Sequence, residues 1–149
     1  CFRPRKFYWE QVTLIQDLLA RFVKEQSSPV SMDQYLEICE QLGTEPDPQK
    51  MPLTESSFPT EVQVAFFMFG LLSDVWEGMS GTYCGKDWSH CSQLFDIYSV
   101  EDPKTTMYFM KLYERILMNH RSEEADRKRK AEERKAKSGG KNYTHNVSG

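Results

Sequence analysis

The stretch Val64-Ala-Phe-Phe-Met-Phe-Gly-Leu-Leu72 constrains this chain more than any other. It is apolar all round, and a helix of that kind has to be buried. A buried strand carries the same signature, because short apolar runs do not separate the two by periodicity. Pro59 just ahead of it, and Thr60 with Gln63 at capping-box spacing, favour a helix. Its uninterrupted part, Val64–Phe69, falls far short of the roughly 20 residues that span a bilayer. The run is therefore expected at the centre of a core, with amphipathic elements covering it.

Those elements are legible on both sides. Tyr8, Val12, Ile15, Leu19 and Phe22 recur at three- and four-residue steps and predict a helix over 7–25. Gln26-Ser-Ser-Pro29 ends it. Ser31 with Gln34 opens a second helix that runs to about Leu42, with Tyr35, Ile38, Cys39 and Leu42 on one face and Gly43 as its stop. Thr44–Pro59 holds four of the chain's 7 prolines and is expected to lie extended over the helices. Ser89–Tyr98 reads as a short helix or turn. Asp102-Pro103 places an N-cap before a proline at the first helical position. The helix it opens is predicted to reach about Lys137, apolar at Met107, Met110, Tyr113 and Leu117, and without an apolar stripe from about His120. Glu123 with Arg127, Glu124 with Lys128, and Asp126 with Lys130 are spaced to pair on its surface. The expected fold class is all-α: one small domain of about five helices with a long basic C-terminal helix. Residues 1–120 form the helical domain, and 121–149 a solvated basic helix and disordered tail.

Charge is distributed unevenly. Residues 26–120 carry 5 basic and 14 acidic side chains, whereas 121–149 carry 9 basic and 5 acidic. An acidic body repels phosphates, so a long duplex is a poor partner for the whole molecule. The basic C-terminal helix alone supports an alternative function, that of a small nucleic-acid-associated or transcription-accessory protein.

Sites for chemistry are sparse. Gly85-Lys86 is followed by Asp87, and the earlier glycine of a phosphate loop is replaced by Ser80, so the motif fails twice. The cysteines are Cys1, Cys39, Cys84 and Cys91, with no C-x-x-C. Cys84, His90 and Cys91 lie close in sequence, but the adjacent pair is awkward as two zinc ligands, and a fourth would have to come from elsewhere, such as Cys39. Asp87 could orient His90 beside a thiol, but no strand–elbow–helix pattern supports a nucleophile there. The expectation is no enzyme, no catalytic residue, no metal, no cofactor, no small-molecule substrate and no membrane span. The matches at Asn142 and Asn146 to a glycosylation pattern are discounted, because no segment reads as a secretory signal. Reduced cysteines point to a reducing compartment.

One segment stands apart. Between Ser73 and Ser89, Gly78, Gly81 and Gly85 alternate with Trp76, Tyr83 and Trp88. A structural reading has the glycines turn the chain while the aromatics plug the edge of the core. A functional reading makes it an aromatic loop that anchors a partner. The partner-binding candidates are Trp76, Met79, Tyr83, Lys86 and Trp88, with Trp88 expected to contribute to binding rather than to stability.

Glu45-Pro-Asp-Pro, Phe58-Pro-Thr-Glu-Val-Gln and Trp76-Glu-Gly-Met-Ser-Gly-Thr-Tyr-Cys-Gly-Lys-Asp-Trp-Ser together resemble small proteins encoded near the tail and baseplate genes of marine T4-like tailed phages. The resemblance covers about a third of the chain and carries no site residues. It implies a bacteriophage structural or assembly accessory protein of the tail or baseplate hub, acting by protein–protein contacts with other phage structural proteins. The location it implies is the host cytoplasm during assembly, or the virion.

Overall fold

A computed structural model describes residues 9–27 and 30–139. Tyr8, the 140–149 tail and both glycosylation matches lie outside those residues. The chain runs α1 (Trp9–Gln26), α2 (Met32–Leu42), a 3-10 turn (Glu55–Ser57), α3 (Thr60–Leu71), β1 (Asp74–Trp76), β2 (Tyr83–Lys86), α4 (Cys91–Ile97) and α5 (Pro103–Gly139). It is mostly helical, with one small two-stranded sheet and a long C-terminal helix.

α1 and α3 both pack on the first half of α5. Val12, Ile15, Leu19 and Phe22 form the buried stripe of α1, at the three- and four-residue steps of a helical face. They meet Val62, Ala65, Phe66 and Phe69 of α3, and Phe109, Met110 and Leu112 of α5. Edge-to-face aromatic pairs lock the middle: Phe58–Phe66 at 5.2 Å, Phe66–Tyr113 at 5.1 Å and Phe69–Tyr113 at 4.9 Å between centroids. Each such pair adds about 0.5–1.5 kcal/mol beyond the burial of its area.

The proline-rich segment lies over this core, gripped by its backbone. Arg21 and Glu25 pair on α1 at 2.7 Å. The Arg21 guanidinium donates to the Met51 carbonyl, and the Glu25 carboxylate accepts from the Leu53 amide. Phe58 at the segment's end is buried between Phe22 and Phe66.

Three expectations need correction. The apolar face of α2 is not buried: Cys39 is covered, but Ile38 and Leu42 are exposed, so the helix is peripheral. Its ends are as read, with a Ser31–Gln34 capping box and Gly43 left-handed at φ 64°. Thr60 is the first residue of α3 rather than its cap, because Pro59 takes that place and the Gln63 amide reaches back to the Phe58 carbonyl. Nor is α3 buried all round, since Phe67 is exposed and packs edge-on to Tyr98.

α5 begins where Asp102 caps it, its carboxylate accepting from the Thr105 amide. Beyond Arg121 its residues are almost entirely exposed. Among the described residues that half holds an Asp126–Arg129 ion pair at 3.2 Å and a His120 ring nitrogen 3.5 Å from the Glu124 carboxylate, not the three pairs expected from spacing.

Candidate functional site

After α3 the chain reverses into an antiparallel hairpin. Val75, Trp76 and Tyr83 are residues that favour strands. Asp74 faces Lys86 and Trp76 faces Tyr83, with an irregularity between the two pairs. The connection is tied by Glu77, whose carboxylate accepts the amides of Met79 at 3.1 Å and Ser80 at 2.6 Å, and also the Ser80 hydroxyl. Those bonds, the Ser80 hydroxyl foremost, hold the Glu77 carboxyl below its ordinary range. Gly81 turns the chain at φ 67°, where a side chain is strained.

The inner face of the hairpin is fixed by charge. The Lys86 ammonium, only 9% exposed, donates to the Leu72 carbonyl at 3.0 Å, pairs with Asp74 at 3.1 Å and lies over the Phe69 ring. The same Asp74 oxygen accepts from the Tyr83 hydroxyl at 3.1 Å. Burial works against an ionised Asp74, but the bonds from Lys86 and Tyr83 outweigh it and lower its pKa. Burial, then the Asp74 bond, push the Tyr83 phenol well up, so it stays a donor.

The hairpin is fastened to α5 through one carboxylate. Glu114, 15% exposed, accepts the Lys86 amide at 2.9 Å and the Trp88 indole N–H at 2.8 Å on the same oxygen. That approach requires Gly85: a Cβ there would stand 2.9 Å from the Glu114 oxygen, and the backbone sits at φ 94°. Farther along α5, the Arg121 guanidinium stacks over Tyr83 at 4.0 Å and reaches Trp76 at 5.5 Å. Its Nη1 is buried and has no hydrogen-bond partner among the described residues.

The five expected binding residues therefore do not form one surface. Tyr83 and Lys86 face inward. Trp88 packs against the core, bonded to Glu114 and covered by Lys111 at 3.7 Å, so its position is that of an anchor for the fold. Trp76 and Met79 are exposed, at 55% and 96%, with Val75 beside them. Trp76 is nonetheless held, its ring 5.0 Å from that of Tyr83. Sequence reasoning missed Asp74, Glu114 and Arg121. Glu114 alone left a signal, as a carboxylate inside the apolar half of a helix.

Cys84 is exposed, and Cys39 and Cys91 are buried as free thiols. Burial pushes the Cys91 thiol up, with Lys111 opposing, an environment that favours the neutral form over a nucleophilic thiolate. Among the described residues no group of three His, Cys, Asp or Glu side chains is placed to hold a metal ion, and no helix is long and apolar enough to cross a membrane. Comparison with known proteins found no family model, no curated protein and no solved structure that matches this chain.

Proposed function

We propose that this protein is a non-enzymatic assembly factor that docks onto another protein through the tip of its aromatic hairpin. The observation that carries this reading is the contrast along one hairpin. Tyr83, Lys86 and Trp88 are pinned by the fold, while Trp76 and Met79 are presented to solvent on the scaffold they create. Tryptophan and arginine dominate interface energetics, and here Trp76 is backed by Arg121. A side chain held in place before binding loses less entropy when it docks. The sequence resemblance supplies the setting: tail or baseplate assembly in a tailed phage, with other structural proteins as partners, in the host cytoplasm and then the virion. The exposed basic half of α5 keeps nucleic acid as the second reading, since Arg121–Lys137 carries 8 basic residues against 5 acidic.

One experiment separates the two. The tagged chain is recovered from infected cells after nuclease treatment, its partners are identified by cross-linking and mass spectrometry, and the pure chain is titrated with DNA at several salt concentrations. Tail or baseplate proteins cross-linked at residues 75–79, with only weak and steeply salt-dependent DNA binding, support the proposal. Tight DNA binding with cross-links confined to residues 121–137 refutes it.

A further inference from the structure

Residues 26–120 carry 14 acidic side chains and only 5 basic ones, yet three of the five, Lys104, Lys111 and Arg115, line one groove. None of the carboxylates among the described residues lines it. The groove lies between α4 and α5 and has a volume of about 620 Å³, over an apolar floor that includes Phe95, Met107 and Leu112. A hollow of that size, apolar inside and with a few charged groups at its edge, has the make-up of a binding site.

The three cations are not equivalent. The Lys111 ammonium lies 3.7 Å from the centre of the Trp88 ring and 3.9 Å from the Glu114 carboxylate, so it is engaged within the chain and belongs to the wall. Lys104 and Arg115 are exposed and make no ion pair among the described residues. They stand about three turns apart on nearly the same face of α5, about 16 Å along its axis. A small carboxylate cannot bridge that span, whereas a helix of three to four turns can.

We propose that this groove docks an acidic amphipathic helix of a partner protein, with its apolar side chains in the hollow and two carboxylates, about three turns apart, on Lys104 and Arg115. Helix-in-groove recognition has this form: apolar anchors at three- and four-residue steps fill the groove, and flanking charges set the orientation. The surrounding acidic body directs such a partner here, because it repels carboxylates everywhere but at this rim. Trp76 and Met79 line no part of the groove, so it is a second docking surface, independent of the tip of the hairpin.

The probe is a labelled synthetic helix of about 15 residues, with leucines at three- and four-residue steps and glutamates flanking them. One twin carries lysine for every glutamate, and another serine for every leucine. Each is titrated into the full chain by fluorescence anisotropy at about 0.05 and 0.5 M salt. The acidic helix should bind about tenfold or more tighter than either twin, and its advantage over the lysine twin should shrink at high salt. Lys104→Glu with Arg115→Glu should reverse the preference, and the milder Lys104→Gln with Arg115→Gln should abolish it, each checked for folding by circular dichroism. Trp76→Ala with Met79→Ala should leave the titrations unchanged, which keeps this surface distinct from the hairpin tip. No preference of the wild type for the acidic helix overturns the proposal. So does equal binding of the serine twin, which would leave the hollow unused. Folded groove variants that keep the acidic preference also overturn it, and assign the binding to the basic half of α5. Salt-sensitive self-association of the wild type, lost in the groove variants, would put a second copy in the groove instead. The wild-type titrations decide even if a variant fails to fold.

Discussion

Replacing Glu114 by alanine should loosen the hairpin more than any other single change on α5. One Glu114 oxygen accepts two N–H groups, from the Lys86 backbone and the Trp88 indole. Hydrogen bonds to a charged group contribute about 1.5–3 kcal/mol each, and an orphaned donor keeps its desolvation cost. Both donors are only partly buried, so water recovers some of the loss, which places the expected total near 3 kcal/mol. Glu114→Gln keeps an acceptor but loses the charge, and should cost about 1–2 kcal/mol. Trp88→Phe removes one donor while keeping most of the ring, so the double-mutant cycle with Glu114→Ala should give a coupling of about 1–2 kcal/mol. The assay is urea unfolding together with amide exchange at Lys86, which reports opening of the hairpin alone. Glu114→Ala within about 0.5 kcal/mol of wild type, with Lys86 exchange unchanged, would refute the clamp.

Three further outcomes follow from the same contacts. Gly85→Ala should destabilise by about 2 kcal/mol or more, because it adds strain at φ 94° to a 2.9 Å approach to Glu114; combining it with Glu114→Ala should relieve the steric part and leave the strain, measured by urea unfolding. The depressed carboxyls of Asp74 and Glu77 contribute stability that is complete above the ordinary carboxylate pKa of about 4 and fades as pH falls through their lower folded values, so exchange of hairpin amides should accelerate below about pH 4 while α1 and α3 stay protected. A chain ending after Asp126 should melt like the whole one, whereas one ending after Asn119 loses Arg121 from the face of Tyr83 and His120 from Ser27 and should be less stable by about 1–2 kcal/mol, measured by thermal unfolding.

The helices were legible because their signals are local. The Ser31–Gln34 box, Gly43 and Asp102-Pro103 act within one turn, and the α1 stripe repeats at the helical period. The hairpin was not legible as a sheet. Its strands are three and four residues long, too short for alternation to show, and its glycines read equally as loop residues. The inward position of Trp88 was hidden for a related reason. Its neighbours Lys86 and Asp87 make the segment look polar, but the partner that draws the indole inward is Glu114, 26 residues away. A comparable separation hid the match between Gly85 and Glu114. The α2 face shows the opposite failure: periodicity identifies an apolar side and cannot say whether the fold covers it.

The central claim is that the tip of the hairpin recognises a protein while its base only holds the tip in place. The most direct test is the Kd of a double variant, Trp76→Ala with Met79→Ala, for whichever protein cross-links to residues 75–79, measured beside its unfolding free energy. Both side chains are largely exposed, so stability should fall by no more than about 1 kcal/mol, chiefly from the lost Trp76–Tyr83 contact. Binding should weaken about 30-fold or more, as expected when an interface loses anchors worth about 2 kcal/mol or more. Unchanged affinity, or a loss no larger than the fraction of protein unfolded, would contradict the account.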